Sequence, residues 1–441
     1  MSLVGALYVG ASGLDAASTE LSVVGDNISN SSTVGFKSAR TVFADTMAQQ
    51  LVGSTGQLGV GVTCETVQKI FSQGDFTTTG LSTDVAIEGD GLFVVKGNHN
   101  GEEGTFYTRN GQFTIDKNGY LTDQEGLKVQ GLQADATGNV TSGLLGDLEV
   151  GNASAPAEAT DEITIRGNLD QKAVAPTWDA ADPKTTSNFT TSMTAYDSLG
   201  NAIQLNVYFC KNDTTNSGDS GDWTYHVMTD GGNVSADMNG AGTTAGTAAE
   251  VATGTLTFDT DGKLKANTET LCNFMPNNAN GPQNLTFNFG TGTDTPGGTG
   301  LDGLTQYSAT SAVSFVTQAG STSGSLSTIA ISQDGTITGT FTNGRTRTLG
   351  QLVIANFQAP DQLGRVGSTL YTEQPSSGSA TIGTPATADR GSITSGTLEQ
   401  SNVDISSEFV RMIAAQRNYE ANSKVLTTAD SLLSELMQMK R

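Results

Sequence analysis

The chain has 441 residues, with 45 acids against 22 lysines and arginines, a net charge of −23, and 54 glycines but only 9 prolines. So acidic a chain excludes a nucleic-acid partner, because phosphate binding needs a basic face. Three scattered cysteines (Cys64, Cys210, Cys272) are too few for a disulfide framework or a zinc site, and no run approaches the ~18–20 apolar residues that span a bilayer.

The length predicts roughly three domains. Charge is unevenly spread. Residues 403–441 carry five acids and five bases, and residues 1–40 carry three acids and two bases, so −22 of the charge lies between the ends. Near-neutral ends can pack on copies of themselves while an acidic middle stays solvated.

In chain order, the first predicted element is a helix over 1–30. Val4, Leu7, Leu14, Ala17, Leu21, Val24 and Ile28 fall at steps of three, four and seven, one apolar stripe on a helix. Gly10, Ser12, Gly13 and Asp15 interrupt the stretch, and no basic segment precedes it, so no secretory signal peptide is expected. NISNSSTVGF (27–36) is rich in cap and turn formers and ends the helix. Residues 36–52, with Phe36, Val42, Phe43, Met47 and Leu51, form either a second short helix or an extended arm. Glycines 53, 56, 59 and 61 then break regularity.

From about residue 62 the period becomes two, the mark of strands. Residues 84–97 read as strand, turn, strand about Asp90–Gly91, and Asn110–Gly111 and Asn118–Gly119 mark further turns over 106–131. Residues 133–165 are loop-rich. A second β block follows: 189–212 about Leu199–Gly200–Asn201, then 223–230, 255–264 and 284–290. Segments 231–253 and 290–303 are Gly/Thr/Ala/Asn-rich loops. A third block over 305–372 has turns at Asp334–Gly335 and Asn343–Gly344, and 374–389 reads as a linker. A last helix over 403–441 carries Phe409, Ile413, Val425, Ala429, Leu432, Leu436 and Met439 at helical spacing, with Asn402 as its expected cap and Asp404 in its first turn. No tandem repeat is present.

NISNSSTVGFK (27–37), GDGLFVV (89–95), YTRNGQFTIDKNGYL (107–121) and TSGTLEQSNVDISSEFVRMIAAQRNYEANSKVLTTAD (394–430) together resemble the rod–hook family of axial proteins of the bacterial flagellum. The resemblance rests on Asn27, Asn30, Thr33, Gly35, Phe36 and Lys37 at one end. At the other it rests on Gly396, Leu398, Glu399, Ser401, Asn402, Val403, Asp404, Gln416, Arg417, Tyr419 and Asn422. AYDSLGNAIQLNVYF (195–209) and RTLGQLVIANF (347–357) resemble segments of the longer hook members, not of the shorter rod subunits.

The resemblance implies a subunit that polymerises into a hollow, curved hook, a flexible coupling that transmits motor torque. It implies export through the flagellar type III apparatus and an extracellular location. The implied partners are other copies of the chain and the distal rod, hook cap and hook–filament junction proteins. A distal rod subunit is the rival reading within the family; a surface adhesin-like β protein is the rival outside it.

The expected fold is α+β and multidomain, with helical ends forming a coiled-coil-like inner layer and two nested all-β domains outside. The expected parts are 1–30 with 403–441 as the helical domain, and 31–70 with 390–402 as arm and linker. A discontinuous β domain takes 71–150 with 305–389, and an inserted outer β domain takes 151–304. The expected polymerisation residues are Val4, Leu7, Leu14, Leu21, Val24, Ile28, Phe409, Ile413, Val425, Leu432, Leu436 and Met439. A helical hairpin packed within one subunit is the alternative explanation of the same stripes, and both arrangements can hold at once.

Catalysis is not expected. Gly218–Asp219–Ser220–Gly221 is similar to a serine-protease nucleophile loop, but only His99 and His226 exist and no triad context surrounds it. Asp259–Thr260–Asp261–Gly262 is similar to part of a calcium loop, yet Lys263 and Lys265 stand where further ligands belong, so a hairpin turn is the reading. No metal and no cofactor is expected.

Overall fold

The computed structural model describes residues 3–46, 49–50, 57–58, 60–135, 137–212, 219–277, 279 and 281–439. It is mostly β-sheet, with a long helix near each end: α1, Leu3–Ser29, and α2, Ile405–Met439. Two compact units are present. Unit 1 is Met1–Ala153, Leu326–Thr340 and Thr346–Arg441; unit 2 is Ser154–Ser325 and Phe341–Arg345. Residues 305–325, expected with the discontinuous β domain, pack in unit 2.

α1 stops where local side chains compete with the backbone. Asn30 Nδ2 donates to Asp26 O at 2.9 Å and to Asp26 Oδ1 at 2.8 Å, and Thr33 Oγ1 donates to Asn30 Oδ1. α2 begins at a different cap from the one expected. Asp404 Oδ1 accepts from the amides of Ser406 at 2.9 Å and Ser407 at 3.4 Å, so Asp404 is the cap. Asn402 is used elsewhere, as described below.

Of the two forms open to residues 36–52, the described part is extended. Ala39–Asp45 pairs antiparallel with Val62–Lys69, as suits the β-branched and aromatic run Thr41–Val42–Phe43. Residues 47–48 and 51–52, and glycines 53, 56 and 59, lie outside the described residues.

The unit 1 sheet runs in the order Thr336–Phe341, Thr346–Leu352, Lys128–Ala134, Leu92–His99, Glu102–Thr108, Leu370–Thr372 and Gly364–Gly367. Phe93, Val94, Val95, Val129, Leu352 and Ile354 are buried within it. Asp90–Gly91 is not a hairpin turn. Val85–Glu88 pairs with Ser392–Ser395, while Leu92–His99 pairs with Glu102–Thr108, so the strands on either side of the turn part company. Asn110–Gly111 likewise joins strands with different partners.

Unit 2 holds a five-stranded antiparallel sheet in chain order: Phe189–Tyr196, Ala202–Lys211, Asp219–Asp230, Ala248–Asp259 and Leu264–Cys272. In a second sheet, Glu162–Asn168 pairs parallel with Thr286–Asn288 and Leu304–Thr305, and antiparallel with Ala312–Gln318. One core joins them, built on Ile163, Leu205, Phe209, Trp223, Tyr225 and Phe289. This unit therefore has its own reason to fold.

One turn is used six times among the described residues. At Asp116, Asp123, Asp135, Asp197, Asp237 and Asp259 the carboxylate Oδ1 accepts the amides two and four residues on. The Asp carbonyl accepts the amide of the glycine at the fourth position, whose φ lies between 78° and 87°. Only glycine reaches that conformation cheaply, so the D-x-x-G spacing is a turn code. Asp259 spends its carboxylate on backbone amides in this way.

Candidate functional site

The sequence points to the two ends, and there the structure is most specific. α1 and α2 pack on each other through small residues. A Cβ on Gly10 would lie 3.6 Å from Leu426 Cδ1, and one on Gly13 only 2.6 Å from Asn422 Nδ2. Ala16, Ala17 and Val24 of α1 and Ala415 and Ala429 of α2 are buried. Glycines of α1 thus let the backbones come close, with Leu426, Val425 and Asn422 of α2 packed over Gly10 and Gly13. An apolar groove lined by Ala6, Ala421, Val425, Thr428, Ala429 and Leu432 runs beside it.

The predicted stripe residues divide. Val24 is buried, and Leu7, Leu14, Leu21 and Ile28 are half-buried. On α2 the stripe is exposed: Phe409 48%, Ile413 50%, Val425 47% and Leu432 47%. Val410 and Tyr8 add still more exposed apolar surface. These large apolar side chains of α2 are left partly uncovered by the chain's own partner helix. The side chains of Val4, Leu436 and Met439 lie outside the described residues.

The signature residues build the joint between helices and β body. Asn27 is fully buried. Its Nδ2 donates to Ala39 O at 2.8 Å, its Oδ1 accepts from Ala39 N at 2.9 Å, and Nδ2 also reaches Glu408 Oε2 at 3.3 Å. One amide side chain thus ties the end of α1, the strand after it and the first turn of α2. Asn402, half-buried, accepts from Ser38 N at 2.8 Å and donates to Ile70 O at 2.9 Å and Ser72 O at 3.1 Å. Gly35, at φ 70°, lies so close to Arg109–Asn110 that a Cβ would stand 2.7 Å from Asn110 N. Phe36 is buried beneath the Arg365 guanidinium, 4.7 Å from the ring centre, and Arg365 pairs with Asp26 at 2.8 Å. Asn422 covers Gly13, whereas Gln416, Arg417 and Tyr419 are exposed.

Beneath the joint sits a charged cluster whose geometry the sequence does not reveal. The Glu399 carboxylate, with no exposed side-chain surface, meets Lys37 Nζ at 2.7 Å and Arg109 Nε at 2.5 Å. Burial alone lifts the Glu399 carboxyl, but Arg109 and Lys37 outweigh it and hold the group below the ordinary glutamate range. Burial, and then the Arg109 charge, lower the Lys37 amine, since one carboxylate faces two cations. All three residues lie inside the quoted motifs, yet 290 residues separate Arg109 from Glu399, and no spacing rule links them.

Cys64, Cys210 and Cys272 are free thiols. Gly218 lies outside the described residues, and Asp219–Gly221 begin a strand. Among the described residues no group of three or more His, Cys, Asp or Glu is placed to hold a metal ion. Among the described residues no helix is long and apolar enough to cross a membrane.

Four family models match in chain order. "Flagella basal body rod protein" matches 7–37 and "Flagellar hook protein FlgE/F/G D1 domain" 86–175. "Flagellar basal body protein FlaE D2 domain" matches 168–321 and "Flagellar basal body rod FlgEFG protein C-terminal" 394–439. The flagellar hook protein FlgE of Escherichia coli is 35% identical, over 97% of this chain and 98% of its own. The chain belongs to the flagellar hook protein FlgE family. The FlgE of Brucella abortus is 34% identical over the full length of both chains. A crystal structure of Helicobacter pylori hook protein FlgE2 aligns with a TM-score of 0.46 at 16% identity, covering 72% of this chain and 98% of that one. The hook family is a structural one, and its terminal models cover the helices and joint described above.

Proposed function

We propose that this chain, a flagellar hook subunit, polymerises by burying the exposed apolar faces of α1 and α2 against those of neighbouring copies. The helices then form the coiled-coil-like inner wall of a hollow, curved tube, and the β domains, one inserted in the other, form its outer layers. A contact between two different patches that does not close on itself yields an open helical filament. The observation that carries the reading is the half-exposed large apolar residues of α2, Phe409 and Ile413 on one side and Val425 and Leu432 on another, on a helix that meets α1 at Gly10 and Gly13. The acidic β domains meet their neighbours through more polar surfaces that slide as the curved tube turns, so that the tube passes on torque while bending. Export through the flagellar type III apparatus, an extracellular position, and contacts with distal rod, hook cap and hook–filament junction proteins complete the reading, supported by family membership.

The test is tube formation by the purified full-length chain, viewed by electron microscopy, against Ile413→Asp and Leu432→Asp. Both side chains are half-exposed in the single chain, so the variants keep their thermal unfolding profile and form no tubes. Tubes at normal yield from either variant refute the interface.

A further inference from the structure

We propose that Glu399 is a positioning residue: its buried carboxylate fixes the direction in which α1 and α2 leave the β body, and thereby sets the twist and curvature of the tube. The inference rests on the hook reading above. It starts from where the group lies. Lys37 follows the end of α1 at Ser29 by eight residues, and Glu399 precedes the start of α2 at Ile405 by six. Both connections from the helices thus pass through one cluster.

The contacts are directional. Glu399 Oε1 accepts from Lys37 Nζ at 2.7 Å and from Gly74 N at 2.8 Å, while Oε2 accepts from Arg109 Nε at 2.5 Å. The backbone carbonyl of Glu399 accepts from Gly35 N at 2.8 Å. Arg109 also donates to the carbonyls of Ile87 at 2.8 Å, Gly89 at 2.6 Å and Gly91 at 2.5 Å, and Lys37 donates to Ser72 O at 2.7 Å. Three stretches of chain, at Lys37, Gly74 and Arg109, therefore converge on a single carboxylate, and Arg109 carries the contact on to residues 87–91. Apolar contacts have no preferred direction and let such stretches slide. A buried carboxylate among charged donors does not, because each bond has a narrow range of angle and length and no water replaces a lost partner. Force passing between helices and β body along these two connections meets a rigid node, not a hinge.

The experiment uses the full chain with Glu399→Gln and, separately, Lys37→Met, which leaves the Arg109 pairing intact. Hydrogen exchange in the unassembled chain is read at Gly35 and Gly74, with the unit 2 strands Ala202–Lys211 and Asp219–Asp230 as internal reference. Tube geometry is read by electron microscopy. The expectation is exchange about tenfold faster at Gly35 and Gly74 with the reference strands unchanged, and tubes of altered twist or curvature from both variants. Should Glu399→Gln unfold unit 1 outright, Lys37→Met decides. Variant tubes that superimpose on those of the unchanged chain, or unaltered exchange at Gly74 in both variants, overturn the proposal. If the unchanged chain forms no tubes, the hook reading fails, while the exchange comparison still decides whether Glu399 acts as a clamp.

Discussion

Gly35 is a point in the joint with no room for a side chain. Its φ is 70°, and a Cβ there would lie 2.7 Å from Asn110 N, 2.8 Å from Arg109 C and 3.0 Å from Asn110 Cα, all backbone atoms. A left-handed conformation costs an L-residue about 1–2 kcal/mol. Forcing a methyl against backbone that has no side chain to move adds about 1–3 kcal/mol. Gly35→Ala therefore destabilises unit 1 by about 2–5 kcal/mol, a large part of the ~5–15 kcal/mol that holds a domain folded. Gly25→Ala is the control: it sits in α1 with nothing within 4 Å of a new Cβ, and gains about 1 kcal/mol of helix propensity. The assay is urea unfolding with two probes. Far-ultraviolet circular dichroism follows the whole chain. Tryptophan fluorescence follows unit 2 alone, because the chain's two tryptophans, Trp178 and Trp223, both lie there. Gly35→Ala shifts the dichroism midpoint down and leaves the fluorescence midpoint in place. An unmoved dichroism midpoint, or a shift no different from that of Gly25→Ala, refutes the reasoning.

Asn27→Ala takes the side-chain partner from the half-buried Ala39 amide and carbonyl and strips a donor from Glu408, so unit 1 loses about 1–3 kcal/mol in the same urea assay. Acid weakens the fold in a defined window. Thr137 and backbone amides hold Asp135 below the usual carboxylate range, the Gly232 and Gly246 amides do the same for Asp230, and the two cations hold Glu399 there against its burial. The folded chain thus binds fewer of these protons than the unfolded one; stability is present above about pH 4.5 and falls as pH drops through the lowered folded values. Thermal midpoints measured down to pH 2 show this limb. Glu399→Gln removes its own share, and an acid limb unchanged in that variant contradicts the assignment. Deleting residues 1–28 or 410–441 abolishes tube formation while unit 2, with its own core, keeps its fluorescence transition.

The helices were legible because local chemistry decides them. The stripe over 1–30 corresponds to Leu3–Ser29, and that over 403–441 to Ile405–Met439. What periodicity does not say is which face is used. A stripe of leucine and isoleucine reads as the seam, yet α2 meets α1 at Gly10 and Gly13 through Leu426, Val425 and Asn422, while Phe409, Ile413 and Leu432 stay half-exposed. Local sequence does not separate the two possible caps, because Asn402 and Asp404 have the same capping chemistry two residues apart. Only the strand-end groups of Ser38 and Ile70, from hundreds of residues away, draw Asn402 off the helix. Asp90–Gly91 carries a hairpin signature and makes none, since tertiary pairing with Ser392–Ser395 wins over the local turn. The Lys37–Glu399–Arg109 cluster stayed hidden because an ion pair leaves no periodic trace.

The half-exposed apolar residues of α2 have an energetic consequence for the unassembled chain. Full burial of a large apolar side chain contributes about 1.5–3 kcal/mol. Phe409, Ile413, Val425 and Leu432 are each about half exposed, so roughly 3–6 kcal/mol per chain is gained only when a second surface covers them. Fixing a helical residue costs about 1–2 kcal/mol of backbone entropy. The expectation is that α2 opens more often in the single chain than in a tube. Arg417 and Lys424 are exposed on it and report the difference as tryptic sites. At the stated energy their cleavage slows by about a hundredfold to ten-thousandfold on assembly, provided opening limits cutting. Cleavage at these sites that is as slow in dilute single chains as in tubes means the helix pair is already complete by itself, and assembly then needs a different driving surface.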